Sequence, residues 1–145
     1  MIQKKYRKDA SSGVKEMIHT ADLALRVRGK DLDALMRNAA AGMSALMCDA
    51  PMAASVPERR DVSVSAPDAE GLLVEWLSEL AYWAESEGAV FNSFLIHSIS
   101  ETSLTATVSG RLSGPLKRTI KAVTYHNLAI KQTARGLEAT VVFDV

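Results

Sequence analysis

Two apolar stripes at helical spacing, set among stretches that alternate with period two, constrain this chain more than any other feature. Leu32, Leu35, Met36, Ala39, Met43, Leu46 and Met47 form one helical face. Leu72, Leu73, Trp76, Leu77, Leu80, Trp83 and Ala84 form a second. Asp31 precedes the first stripe and Pro67-Asp68 the second, where side-chain caps are expected, and Gly88 offers a stop. Between and after them, Leu23, Leu25 and Val27 alternate with Ala24, Arg26 and Arg28. Val62, Val64 and Ala66 then alternate, followed by Val90 to Ile99, the set Leu104, Ala106 and Val108, Ile120 to Tyr125, Leu128 to Lys131, and Leu137 to Phe143. Asp49 to Arg60, with Pro51 and Pro57, reads as a loop, and Thr133 to Gly136 as the last hairpin turn. Most strands follow the second helix. The pattern therefore predicts an α+β fold, two helices packed on a mostly antiparallel or mixed sheet. With 145 residues, 48% of them hydrophobic, the chain closes one core, expected over 14–145 behind a flexible basic arm at 1–13.

Charge narrows the function. Lys plus Arg and Asp plus Glu both number 17, so there is no global basic field to grip a phosphate backbone, and tight independent RNA or DNA binding is disfavoured. The balance is a cancellation. Asp61 to Gly110 contains eight acidic residues and no Lys or Arg, while Lys4, Lys5, Arg7 and Lys8 precede it and Arg111, Lys117, Arg118 and Lys121 follow. On the second helix Asp68, Glu75 and Glu79 fall near one line, an edge suited to a basic partner or simply to solvation. The single cysteine, Cys48, forms no internal disulfide. No apolar run reaches membrane-spanning length or marks a secretory leader, so a soluble protein of the reducing cytoplasm is expected.

Phosphate loops, the nucleophile elbow and the zinc-protease helix motif are absent from the sequence. Three segments remain. The first, His19-Thr20-Ala21-Asp22, opens a strand; the second, Val141 to Val145, ends the sequence in strand alternation. A final strand anchored in the sheet would hold Asp144 and the terminal carboxylate of Val145 in place, and with Asp22 these make an all-oxygen set of the kind Ca²⁺ or Mg²⁺ takes. The bland alternative has Asp22 satisfying backbone donors and Asp144 solvated; His19 is as easily a hydrogen-bonded structural residue as a ligand. The third segment, Ile120 to Leu128, sets Lys121, Val123 and Tyr125 on one strand face and Ala122, Thr124 and His126 on the other. There Lys121 either snorkels at an edge or holds an anionic group.

Taken in order, HTADLALRVRG, LDALMRNAAAGMSALM, GLLVEWLSELAYWAESEG, IKAVTYHNLAI and the final VVFDV resemble the archease family, over about Glu16 to Val145. Two positions depart from its pattern, Ala24 where glycine is common and Thr119 where glutamate precedes IKAVTYH. The resemblance implies a small cytoplasmic, non-enzymatic accessory factor of RtcB-type RNA ligases, which join RNA ends with GTP in tRNA splicing and repair. Such a factor promotes guanylylation of the ligase and its multiple turnover. The resemblance also carries a divalent metal, of the Ca²⁺ or Mg²⁺ class, onto Asp22, Asp144 and Val145. His19, Lys121 and His126 are candidates for supporting or partner contacts. Two other readings stand beside the accessory factor, a broader protein-binding modulator or chaperone of RNA-modifying enzymes, and a metal-dependent hydrolase, the latter lacking an evident base or nucleophile.

Overall fold

The computed structural model describes residues 2–8, 19–49 and 56–145, of which 2–8 and 19–21 are described by their backbone alone. Helix α1 (Leu32–Met47) begins where the sequence places it. The Asp31 carboxylate accepts from the Ala34 amide at 2.9 Å, and Asp68 caps α2 (Ala69–Glu87) in the same way, accepting from Gly71 N at 2.7 Å. Gly88 ends α2 in the left-handed region, at φ 69°, where a side chain would be strained. Removing a cap, Asp31→Ala or Asp68→Ala, is expected to cost about 1 kcal/mol each in chemical denaturation, with the slope of the transition unchanged.

The strands are β1 (Ile2–Lys8), β2 (His19–Gly29), β3 (Val56–Ser65), β4 (Ala89–Ile99), β5 (Ser103–Leu112), β6 (Ala122–Thr124), β7 (Lys131–Thr133) and β8 (Gly136–Asp144). They form two sheets rather than one. A five-stranded sheet runs β1-β2-β8-β6, with β7 also on β8, and a three-stranded sheet runs β3-β5-β4; every pair is antiparallel. Both helices touch both sheets. Helix α1 packs on β2 and β4, and α2 packs on β3, β4, β5, β6 and α1. One continuous core results, and the alternating residues of the sequence supply it, Leu23, Leu25, Val27, Leu104, Ala106, Val108, Ala139, Val141 and Phe143 from the strands. The helical stripes are buried as expected, apart from Leu32 and Trp83, which are half-buried.

Of the expected arm, Ile2–Lys8 pair as strand β1 on β2, while 9–18 lie outside the described residues. Two local expectations are corrected. The stretch expected as a loop to Arg60 is already strand from Val56; Pro57 is tolerated because β3 is an edge strand, paired only with β5. The rest of that loop, 50–55, lies outside the described residues. The expected strand at Ile120–Tyr125 shrinks to Ala122–Thr124, and that at Leu128–Lys131 keeps only Lys131, where β7 begins. Asn127 turns the chain at φ 52°, and the Ile130 amide donates to Glu70 Oε2 of α2 at 3.0 Å instead of to a strand.

Packing leaves no room at Gly110, where an added Cβ would collide with the Val90 carbonyl oxygen. Gly110→Ala must push β5 from β4 and is expected to cost about 1–3 kcal/mol, read as a lowered Tm. At the end of α2, Arg60 Nη2 donates to Glu87 Oε1 at 2.7 Å and to Glu58 Oε2 at 3.0 Å, with the guanidinium 5.0 Å above the Trp83 ring. The Arg60 hydrogen bond, aided by its charge and opposed by slight desolvation, holds the Glu87 carboxyl below its ordinary 4.5. Because the folded-state pKa is the lower one, the pair stabilises the fold above about pH 4.5 and loses that contribution as pH falls through the depressed value. Glu87→Gln is expected to flatten this acid-side dependence of Tm, an effect kept small by exposure and screening.

Candidate metal centre

Cross-strand register assembles the site. Asp22, four residues into β2, stands directly opposite Asp144 on β8. The same rung continues outward to Lys5 on β1 and to Ala122 on β6. Since Leu23, Leu25 and Val27 of β2, and Ala139, Val141 and Phe143 of β8, turn inward, Asp22 and Asp144 fall on the opposite, outer face of the five-stranded sheet. That face changes character along its length. Three rungs from the carboxylate pair on that face, Arg28 Nε donates to Glu138 Oε1 at 3.1 Å, and Asp22 too has an interaction of its own.

Asp22 and Asp144 are both half-buried. Opposed residues of an antiparallel pair have Cβ atoms about 4.5–5.5 Å apart, and like charges there repel. A cation between two such carboxylates relieves that repulsion, and an all-oxygen donor set suits a hard ion. Among the described residues no three His, Cys, Asp or Glu side chains come together in a metal-ligating group. The side chains of this rung therefore offer two carboxylates, with Val145 next after Asp144. Val145 packs its side chain against the core, which fixes its backbone beside Asp144.

Strand β6 and its flanks hold this end of β8 in place. The Lys121 amide donates to the Asp144 carbonyl at 2.8 Å. Thr124 Oγ1 donates to the Val142 carbonyl at 2.9 Å and accepts from the His126 amide at 3.3 Å. Nothing in the sequence around Thr124 singles it out, since only the pairing of β6 with β8 gives its hydroxyl that position. Lys121 and Tyr125 do not share a strand face, because β6 ends short of both; each is exposed. The exposed His126 ring bonds Asn127, with Nε2 and Nδ2 at 3.3 Å. His19 begins β2, three residues before Asp22, and its side chain lies outside the described residues.

The acidic edge of α2 is only partly available. Asp68 is committed to its cap and Glu70 to Ile130, which leaves Glu75 exposed and Glu79 half-buried, beside the exposed Tyr82. No helix among the described residues is long and apolar enough to cross a membrane.

Comparison with known proteins bears on the same segments. The archease protein family matches residues 15–145. The protein archease of Methanosarcina mazei is 38% identical over 135 residues, covering 88% of this chain and 92% of the relative. That of Sulfurisphaera tokodaii is 31% identical, covering 88% and 94%. Among solved structures, a Methanobacterium thermoautotrophicum protein superposes with a TM-score of 0.58 at 23% identity, covering 98% of each chain. An archease from Thermotoga maritima, described as a possible chaperone, gives 0.61 at 18% identity over 84% of this chain and 89% of its own. The two structures share the fold, and the family match over nearly the whole chain, with relatives above 30% identity, settles its membership: this chain belongs to the archease family.

Proposed function

We propose that this protein is a non-catalytic, divalent-metal-binding activator of an RtcB-type RNA ligase, promoting its GTP-dependent guanylylation and multiple turnover in tRNA splicing or RNA repair. The observation that carries the reading is the rung on which Asp22, from the HTAD segment, faces Asp144, from the final VVFDV segment. Two motifs from opposite ends of the family's sequence pattern thus meet at one point of the surface. Asp22 and Asp144, with the carboxylate of Val145, would hold the metal, an ion of the Ca²⁺ or Mg²⁺ class by its oxygen donors. Bound there, it would supply positive charge for phosphate oxygens at the docked nucleotide site.

The chain's own groups hold that edge. The Lys121 amide bond to Asp144 and the Thr124 bond to Val142 pin the carboxylate-bearing strand end. His19, Lys121 and His126 are the candidates for partner contacts around it. The balanced net charge fits a protein that leaves RNA to its partner.

The test adds the protein in substoichiometric amount to a cognate ligase with GTP, across several divalent ions. Faster guanylylation and more turnovers per ligase are expected; unchanged rates under every metal condition would overturn the proposal. A second reading, a wider protein-binding modulator or chaperone, draws on the exposed Glu75 and Tyr82 of α2 and on the description of the Thermotoga maritima protein as a possible chaperone. Pull-downs that recover RNA-modifying enzymes but no ligase would favour it.

A further inference from the structure

Away from the carboxylate rung, α1 and the paired ends of β4 and β5 line a half-open cavity of about 280 Å³. It sits near the small end of the range for small-molecule sites. Its walls are apolar, formed by Ala41 and Ala45 of α1 and by Val90 and Phe91 of β4. Polar side chains border it, among them Ser44, the exposed Asn92, and Ser113, whose hydroxyl donates to the Gly88 carbonyl at 3.3 Å. Ser44 is only 8% exposed, and its hydroxyl makes no hydrogen bond with any described residue. Among the described residues no side-chain polar atom is left both sealed and unpartnered, so the Ser44 hydroxyl opens on the cavity that the residue lines. Asn92 is the extra residue where the β4–β5 register shifts between Phe91 and Ser93. A bulge of this kind re-aims the side chain at the irregularity, and Asn92 lines the same cavity. Both charged residues of the lining are already engaged, Asp49 with Lys117 Nζ at 3.0 Å and Arg111 in an interaction of its own.

We propose that this cavity binds a small uncharged molecule with an apolar body and one hydrogen-bonding group. The body rests on the alanines, Val90 and Phe91, and the polar group meets the Ser44 hydroxyl and the Asn92 carboxamide. An apolar wall with a few convergent polar groups is the general pattern of such sites. A formal charge on the ligand gains little from a lining whose charged groups are already engaged, and loses its hydration. Neither Asp22 nor Asp144 takes part, and the ligase reading stands or falls separately.

The full-length protein, labelled with ¹⁵N, is titrated with benzyl alcohol and with benzamide, and in parallel with benzoate and benzylamine as charged counterparts of similar size. Saturable shifts of the Ser44, Cys48 and Asn92 amides are expected from the two neutral probes, with affinity at least about fivefold above the charged pair. Cys48 lines the cavity and is the single cysteine of the chain, so its alkylation by iodoacetamide should slow severalfold under the same neutral probes. Ala45→Phe and Ala41→Phe each add a ring at an exposed helix position that also borders the cavity, and each should abolish both effects; Ser44→Ala should weaken binding about fivefold. The proposal is overturned by the absence of saturable shifts. It is equally overturned by benzoate or benzylamine binding as well as the neutral probes, or by shifts that persist in either folded phenylalanine variant.

Discussion

Asp144→Ala is expected to lower stimulation of an RtcB-type ligase by at least about tenfold, on the scale by which metal sites respond to loss of a supporting group, while the protein stays folded. The reason for the separation is geometric. Asp144 takes part in the fold through its backbone, whose carbonyl accepts from the Lys121 amide at 2.8 Å and which pairs with Asp22 and Ala122. Alanine keeps all of that. A half-buried outer-face carboxylate that makes no core contact should change stability by no more than about 0.5 kcal/mol. Asp22→Ala, across the rung, should reproduce the loss, and calorimetric titration with Ca²⁺ or Mg²⁺ should show weakened binding in both variants. Residues appended after Val145 should have the same effect by removing the terminal carboxylate. If Asp144→Ala stimulates the ligase as the unsubstituted protein does, the metal-centred reading is wrong. If stimulation is lost only together with Tm, the carboxylate is structural.

The largest effect on stability should come from Trp76→Ala, which is expected to cost about 3–5 kcal/mol and to lower Tm by roughly 10 °C or more for a domain of this size. Trp76 is fully buried on α2 and donates its indole N–H to the Met36 carbonyl of α1 at 2.9 Å, while its ring meets Phe94 of β4 edge-on at 6.1 Å. One side chain thus ties both helices and the three-stranded sheet. Trp76→Phe keeps most of the apolar body and loses the hydrogen bond, so a cost nearer 1 kcal/mol is expected. Equal losses for the two variants in urea denaturation would show that the hydrogen bond, not the packing, dominates this contact.

Local chemistry makes much of the fold legible in the sequence. Asp31 and Asp68 cap the helices they precede, Gly88 stops α2, and the buried strand residues are the alternating ones, because caps, stops and amphipathic faces are decided by neighbours within a few residues. Legibility fails where partners are distant in sequence. Pro57 has the local character of a loop residue, yet it sits in β3, an edge strand with a free side. Likewise, Leu128 to Lys131 has the composition of a strand, but the Ile130 amide is held by Glu70 of the second helix. No local pattern announces that Ser44 borders a cavity or that Asn92 sits at a bulge, since both facts arise from how β4 and β5 pair and how α1 lies on them.

The site divides along the same line. Sequence alone pointed to two aspartates, in segments resembling archease, as candidate oxygen donors, and showed that the formal charges balance. Only the tertiary structure decided that Asp22 and Asp144 share one rung on the outer face of the sheet. The physical reason is register. A strand's alternation fixes which face a side chain takes, but the residue opposite it is chosen by long-range pairing of β2 with β8, and a slip of one position would have parted the carboxylates and turned one of them into the core.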